Sequence, residues 1–259
     1  MQDTLRELLD FAHRAAWEAG KITLRYFQTG IAAELKSDES PVTIADREAE
    51  AFLRSAITTH YPQHAILGEE EGATGHSDAE WRWILDPIDG TRAFVRGMPL
   101  YGVMVGLEHR GEPVLGVINM PALNEITYAA RGLGCWWNGR PCRVSQVPRL
   151  HDGLLVATTA DDRYARTGRK ESFERLVNAA GMFRTWGDCY GYVLVATGRA
   201  EATLDPIVSV WDVAAAYPIV REAGGTFTDW QGNATIHNKE GIGTNALVFD
   251  EIMQLIKGS

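Results

Sequence analysis

The sequence predicts an α+β fold on three observations. Two amphipathic helical patterns open the chain, closely spaced strand patterns with a hairpin signal fill its middle, and helix and strand patterns alternate through its second half. The alternation suggests an α/β layer there, set against a strand-rich first half.

In chain order, the first helix is expected over residues 4 to 27. Leu5, Leu8, Leu9, Ala12, Ala15, Ala16, Ala19 and Ile22 fall on one face, after Asp3 as N-cap. Residues 28 to 42 read as an irregular, mobile loop through Gly30, Lys36, Ser37, Asp38, Glu39, Ser40 and Pro41. Thr43-Ile44-Ala45-Asp46 has the form of a capping box. Ala49, Phe52, Leu53, Ala56 and Ile57 then make the buried stripe of a second helix, which Tyr61-Pro62 ends. Ala65 to Leu67 reads as a strand running into Gly68-Glu69-Glu70-Glu71-Gly72. Trp83 to Leu85 reads as a short buried strand ending on Asp86, because Pro87 has no N–H for a ladder and turns the chain.

Leu100 to Leu107 and Val114 to Asn119 are expected to pair. Glu125 to Ala129 and Gly134 to Trp137 extend the sheet, and Asn138-Gly139 signals a two-residue hairpin. The weakly periodic stretch 141 to 152 separates an N-terminal α+β domain, 1–147, from a C-terminal α/β domain, 148–259. In the second, strands are expected at 154–158, 184–186, 202–204 and 226–228. Helices are expected at 173–180, 190–197 and 213–223, the last stopped by Gly224-Gly225.

Composition narrows the function. A chain of 259 residues can bury a large core, and a net charge of −9 argues against non-specific binding to nucleic acid or an anionic membrane. An acidic protein that handles an anionic phosphate needs cations to reverse the local sign. No apolar run approaches the ~18–20 residues of a membrane span, and the charged N-terminus has no signal-peptide core. Three cysteines, Cys135, Cys142 and Cys189, have no CxxC spacing, so a disulfide framework or a zinc site is not expected and a reducing cytoplasm fits. Cys189 reads as a buried small hydrophobe.

The stretch Trp83-Ile84-Leu85-Asp86-Pro87-Ile88-Asp89-Gly90-Thr91 carries the chemistry. Two carboxylates on one turn repel unless a cation lies between them, and hard divalent cations prefer such oxygen donors. Taken alone it also reads as a solvated Asp-Pro turn. Asp46, Glu69 and Asp212 recur at a strand end or helix start, each with an ordinary alternative: the acid of a capping box, a charged surface run, a plain N-cap. Together with the Asp86/Asp89 pair they argue for a shared cation site.

These motifs resemble the inositol-monophosphatase superfamily of Mg²⁺-dependent, lithium-sensitive phosphatases. Trp83 to Thr91, continuing to Phe94-Val95, matches its first signature. Trp211-Asp212-Val213-Ala214-Ala215 with Glu222-Ala223-Gly224-Gly225 matches its second, and Lys36, Pro41-Val42-Thr43 to Asp46, and Gly68-Glu69-Glu70 match further landmarks in order. The resemblance spans roughly Leu5 to Phe249 and implies a layered α-β-α-β-α sandwich, commonly a homodimer, with metals at the domain junction. It implies that Glu69, Asp86 and the Ile88 carbonyl hold a first Mg²⁺, that Asp86, Asp89 and Asp212 hold a second, and that Glu69 helps a weaker third through water. Such ions, about 3.5–4 Å apart, clamp the attacking and leaving oxygens of an in-line displacement. Thr91 with Asp46 is then the pair that orients and deprotonates the attacking water, the N–H groups of Gly90 and Thr91 hold phosphate, and Lys36 orders the metal site. Arg92-Ala93 departs from the family, which often has Asn before the Phe; no expected ligand is altered.

Within the resemblance, specificity lies in Thr185 to Tyr192 and Leu204 to Val208. Asp188, with Tyr190 beside it, stands where inositol phosphatases place a small neutral residue, and Asp205 matches an acid reaching the substrate from the far side. The Gly-Asp-Cys-Tyr-Gly-Tyr wording looks like the histidinol-phosphate phosphatase branch, whose substrate carries an ammonium and an imidazole that two carboxylates suit. Asp188 also reads as a cap for the helix after it. An inositol or broad sugar phosphatase shares every catalytic residue and differs only in this pocket. A catalytically silent binding protein on the same fold is expected to have lost a ligand or the Thr91 hydroxyl, and neither is lost; calcium binding without catalysis lacks EF-hand spacing.

Overall fold

In a computed structural model, the structure describes residues 2–36 and 41–258. Ser37 to Ser40, in the expected loop, lie outside the described residues. The first half runs α1 (Gln2–Tyr26), β1 (Glu34–Leu35), β2 (Pro41–Val42), α2 (Ile44–His60), β3 (Ala65–Gly68), β4 (Gly72–Thr74), β5 (Trp81–Asp89), α3 (Thr91–Phe94), β6 (Gly102–His109), β7 (Glu112–Met120), β8 (Glu125–Ala130), β9 (Gly134–Trp137) and β10 (Arg140–Pro141). The second half runs β11 (Leu154–Ala157), α4 (Arg163–Arg166), α5 (Lys170–Ala179), β12 (Met182–Arg184), α6 (Cys189–Ala196), β13 (Ala202–Asp205), α7 (Val210–Ala214), α8 (Ala216–Glu222), β14 (Thr226–Thr228), β15 (Gly241–Thr244) and α9 (Phe249–Lys257).

Two mixed sheets, each between helices, make the layered α-β-α-β-α sandwich. The larger has eight strands in the order β10-β9-β8-β7-β6-β5-β3-β4; the smaller has five, β12-β11-β13-β15-β14. α1 and α2 cover the outer face of the large sheet, where Leu5, Ala12, Ala16 and Leu53 pack with Trp83, Val105 and Val117. α6, α7 and α8 fill the middle layer, and α5 and α9 close the far side of the small sheet. The middle layer unites the halves: Ile84, Met104 and Ile118 of the large sheet share one core with Val156, Tyr192, Val213 and Phe227. Close approach is required here, since a Cβ on Gly116 would lie 2.0 Å from the Ala215 carbonyl oxygen. No helix among the described residues is long and apolar enough to cross a membrane.

Most expected elements form, and the exceptions have physical causes. The helix begins at Gln2, so Asp3 lies in its first turn, where a carboxylate suits the dipole, and not at the N-cap. The stretch 28 to 42 is not wholly irregular, because β1 and β2 pair antiparallel. The strand expected at 184–186 lies at 182–184, and the helix expected at 213–223 is two, α7 and α8. Most important, Pro87 does not turn the chain out of the sheet. β5 continues to Asp89, and its pairing with β6 lapses between Asp86, opposite Met104, and Asp89, opposite Gly102. Three steps on β5 face two on β6, a bulge that absorbs the residue without an N–H. In a regular strand Asp86 and Asp89 would point to opposite faces; the extra residue restores them to one.

Candidate active site

The carboxylates meet where the end of β5 faces α7. Asp86 is buried, and its Oδ1 accepts the Ile88 N–H at 3.1 Å. Asp89 Oδ2 accepts the Cys189 N–H, tying the bulge to the start of α6. Asp212 arrives from α7, whose N-cap is Ser209; the Ser209 N–H donates to Asp212 Oδ2 at 2.8 Å. The N-cap alternative for Asp212 is therefore replaced by the third helical position of a capping box, a geometry that fixes the carboxylate. One oxygen from each of Asp86, Asp89 and Asp212 lies within 4.8 Å of the others.

That crowding shows in the proton affinities. Burial raises Asp86 well above the ordinary carboxylate range, helped by Glu69, Asp89 and Asp212. Burial, then Asp188 and Asp212, does the same to Asp89. Burial lifts Asp212 to about 7 against the Ser209 N–H bond that favours its charge. Acids held close and away from water resist ionising together unless a cation joins them.

Glu69 stands at the edge of this cluster, its N–H on the Leu85 carbonyl at 3.2 Å and its Oε1 taking Lys36 Nζ at 2.9 Å. Lys36 also reaches Glu70, at 2.7 Å. Burial alone would lower the Lys36 ammonium, but its bonds to Glu70 and Glu69 outweigh that and raise it. Thr43 caps α2 as expected: its N–H and hydroxyl donate to Asp46 Oδ2 at 2.8 and 2.6 Å. That leaves Asp46 Oδ1 facing the Thr91 hydroxyl at 3.4 Å, and the same hydroxyl donates to the Ile88 carbonyl at 3.0 Å. Burial lifts Asp46 to about 6. Gly90 has φ +85°, and a Cβ there would lie 2.9 Å from the Leu100 carbonyl oxygen and 3.2 Å from Asp188 Oδ2, so the turn into α3 needs glycine.

Asp188 and Asp205 come together beside the cluster. Both line a cavity of about 100 Å³ that also contains Asp89, Asp212, Arg163 and Tyr192. Thr158 joins the two acids: its hydroxyl donates to Asp205 Oδ1 and accepts the Asp188 N–H at 2.7 Å. Burial lifts Asp188 to about 7, with Asp205 adding and the charges of Arg163 and Arg92 opposing. The unusual Arg92 thus contributes positive potential at Asp188. Asp188 precedes α6 without capping it through its side chain.

Tyr190 does not join this pocket. Its hydroxyl accepts from Arg199 Nη1 at 3.3 Å, and Arg199 in turn grips Glu125 at 2.6 Å. The helical turn of α6 sends Tyr190 toward β8 and brings Tyr192, two positions on, into the cavity. Tyr192 falls within the specificity segment expected from the sequence, whereas Thr158 and Arg163 lie outside it. Ser209 had a readable signal, its three-residue spacing to Asp212; Thr158 and Arg163 had none, because only the tertiary fold brings them beside Asp188.

The model of the inositol monophosphatase family matches residues 4–257. The chain belongs to this family of metal-dependent phosphatases. It is 44% identical over 237 residues to the histidinol-phosphatase of Chlorobaculum parvum, covering 90% of each chain. It is 31% identical over 255 residues to the inositol-1-monophosphatase of Mesorhizobium japonicum, covering 96% of each. The crystal structure of extragenic suppressor protein suhB from Bartonella henselae superposes with a TM-score of 0.91 at 29% identity, covering 97% of this chain and 98% of the other. The chain is thus a phosphatase of the class that acts on small phosphate monoesters.

Proposed function

We propose that this protein is a cytoplasmic, homodimeric, Mg²⁺-dependent phosphomonoesterase that hydrolyses histidinol phosphate to histidinol and phosphate, a step of histidine biosynthesis. One observation carries the substrate class: Asp188 and Asp205 share a small cavity with Asp89 and Asp212. A substrate whose phosphate lies at the carboxylate cluster therefore presents its remaining groups to two acids. The ammonium and imidazole of histidinol phosphate supply donors for both, whereas the hydroxyls of a polyol gain less from buried carboxylates. The histidinol-phosphatase relative is consistent with this reading.

The donor set fits a hard divalent cation. Crowded carboxylates, Asp86 buried and Asp89 and Asp212 half-buried, with raised proton affinities gain by exchanging protons for Mg²⁺. Glu69, Asp86 and the Ile88 carbonyl would hold one ion, Asp86, Asp89 and Asp212 a second, and Glu69 a weaker third. Bound there, the ions supply Lewis-acid stabilisation of phosphoryl oxygens and activation of water.

The chain's own residues do the positioning. Thr91, held between Ile88 and Asp46, orients the attacking water, and Asp46, lifted toward neutrality, accepts its proton. The Gly90 and Thr91 N–H groups receive phosphate oxygens at the entry to α3. Lys36 bridges Glu69 and Glu70, offsets part of their charge and fixes the border of the site. On this reading 1–147 and 148–259 act as two halves of one catalytic unit, since Asp212, Asp188 and Asp205 come from the second and the other acids from the first.

The test is phosphate release in Mg²⁺ from histidinol phosphate and inositol 1-phosphate side by side. A preference in kcat/KM of about 100-fold for histidinol phosphate, ~2.7 kcal/mol of differential transition-state binding, supports the proposal. Equal rates, or a preference for inositol 1-phosphate, favour the second reading, an inositol or broad sugar phosphatase like the Mesorhizobium japonicum relative. Release from neither points to a different ester or a catalytically silent binding protein.

A further inference from the structure

Away from the carboxylates, Cys135 and Cys142 face each other across the last hairpin of the large sheet. β9 and β10 pair antiparallel through Asn138-Gly139, with Trp137 opposite Arg140 and Trp136 opposite Pro141. The next rung sets Cys142 opposite Cys135, and the Cys142 N–H donates to the Cys135 carbonyl at 3.0 Å. A hydrogen-bonded antiparallel pair holds its Cα atoms about 5.5 Å apart. That lies inside the roughly 4.4–6.8 Å a disulfide spans. The side chains turn toward each other, with their Sγ atoms 3.4 Å apart. Cys135 is buried and Cys142 half-buried, so Cys142 is the more accessible member of the pair. Cys189, the remaining thiol, is buried against Met120 Sδ at 3.5 Å.

We propose that Cys135 and Cys142 form a reversible thiol–disulfide modification site whose oxidant is a small-molecule disulfide. Cys142 is the attacking thiol. It is the less buried of the two, and its hydrogen bond with Cys135, with the Arg199 charge nearby, draws it below the ordinary thiol range. The same hydrogen bond, with burial, pushes Cys135 up. In the first step the Cys142 thiolate attacks one sulfur of the small disulfide, forming a mixed disulfide and expelling one small thiolate. In the second, Cys135 loses its proton to solvent and attacks the Cys142 sulfur, expelling the other. The two protein thiols are oxidised and the small disulfide is reduced to two thiols. The product ties β9 to the connector between the halves, since Val144, two residues past Cys142, donates its N–H to the Ala223 carbonyl at 3.1 Å.

The experiment incubates the reduced, full-length protein with glutathione disulfide. Free thiols are then alkylated in denaturant and counted by mass spectrometry with peptide mapping. The expected product has lost two hydrogens, retains only Cys189 as an alkylatable thiol, and is restored by dithiothreitol. Cys135→Ser is expected to stop at a stable glutathione adduct on Cys142, whereas Cys142→Ser gives neither adduct nor disulfide in the folded state. Three alkylatable thiols after exchange, a stable adduct on the unsubstituted protein, or a bond to Cys189 each overturns the proposal.

Discussion

The carboxylate cluster and the pocket beside it are built in different ways. Around the cluster, three acids are held by their own local turns, Asp86 by the Ile88 N–H, Asp212 by Ser209 and Asp46 by Thr43, while Asp89 reaches across to the Cys189 N–H. In the pocket, Asp188 and Asp205 are joined through Thr158 on a third element, and the nearby cations Arg163 and Arg92 come from others. Local turns leave short sequence patterns, whereas tertiary contacts leave none. The difference predicts that the cluster determines whether phosphate is released, and the pocket determines from which ester.

The largest effect expected is at Asp89. Asp89→Asn keeps an acceptor for the Cys189 N–H but removes a charge from the cluster. Turnover should fall at least ~1,000-fold, about 4 kcal/mol of transition-state stabilisation, with an unchanged circular dichroism spectrum. Near-normal turnover in Mg²⁺ would remove Asp89 from the cluster's chemistry. Next comes Thr91→Val, which preserves shape and deletes the hydroxyl between Asp46 and Ile88. Steady-state kinetics should show kcat down ~100-fold with KM little changed, as for loss of a group that acts in proton transfer. An equal loss expressed wholly in KM would make Thr91 a substrate contact only.

The pocket should respond in selectivity. Asp188→Ala is expected to raise KM for histidinol phosphate about 10-fold more than for inositol 1-phosphate, ~1.4 kcal/mol of discrimination. Tyr192→Phe tests the residue that does line the cavity, and Tyr190→Phe is its control: with the Tyr190 hydroxyl on Arg199, the ratio between substrates should not move. A shift with Tyr190→Phe and none with Asp188→Ala would invert this assignment.

How much could be read from the sequence follows from the same contrast. The helices, the central strands and the Asn138-Gly139 turn were legible because periodicity and turn chemistry are local; Asn138 and Gly139 indeed adopt φ +48° and +76°. Asp46 in its capping box was legible for that reason. Pro87 misled, because a proline predicts a lost hydrogen bond but not whether the chain leaves the sheet or bulges within it. Tyr190 misled because adjacency in sequence is not adjacency on a helix. β15 and α9 went unread: Gly241–Thr244 carries two glycines and becomes a strand only between β13 and β14.

The smallest effect expected is on stability, and it separates protons from metal in the cluster. Asp212 and Asp188, each lifted by burial to about 7, and Asp46, lifted to about 6, hold protons in the folded state that the unfolded chain releases near 4. Their folded affinities lie above the unfolded ones, so the folded state binds more protons across that window. Stability of the metal-free protein must therefore fall as pH rises from about 4 through 7. Melting in EDTA is expected to show Tm decreasing by a few degrees between pH 6 and pH 8, with about 2–4 °C for each kcal/mol in a chain of this size. On the proposed ligand assignment, saturating Mg²⁺ should replace protons at Asp86, Asp89 and Asp212 and flatten most of that slope, because a cation stabilises the charged carboxylates that high pH produces. Asp188 and Asp46 lie outside the triad, so a residual slope should survive in Mg²⁺, and Asp188→Asn should remove part of it. A slope unchanged by Mg²⁺ would show that the triad does not exchange protons for the cation. A slope abolished by Mg²⁺ and untouched by Asp188→Asn would confine the linkage to the triad and leave the pocket acids without a share in it.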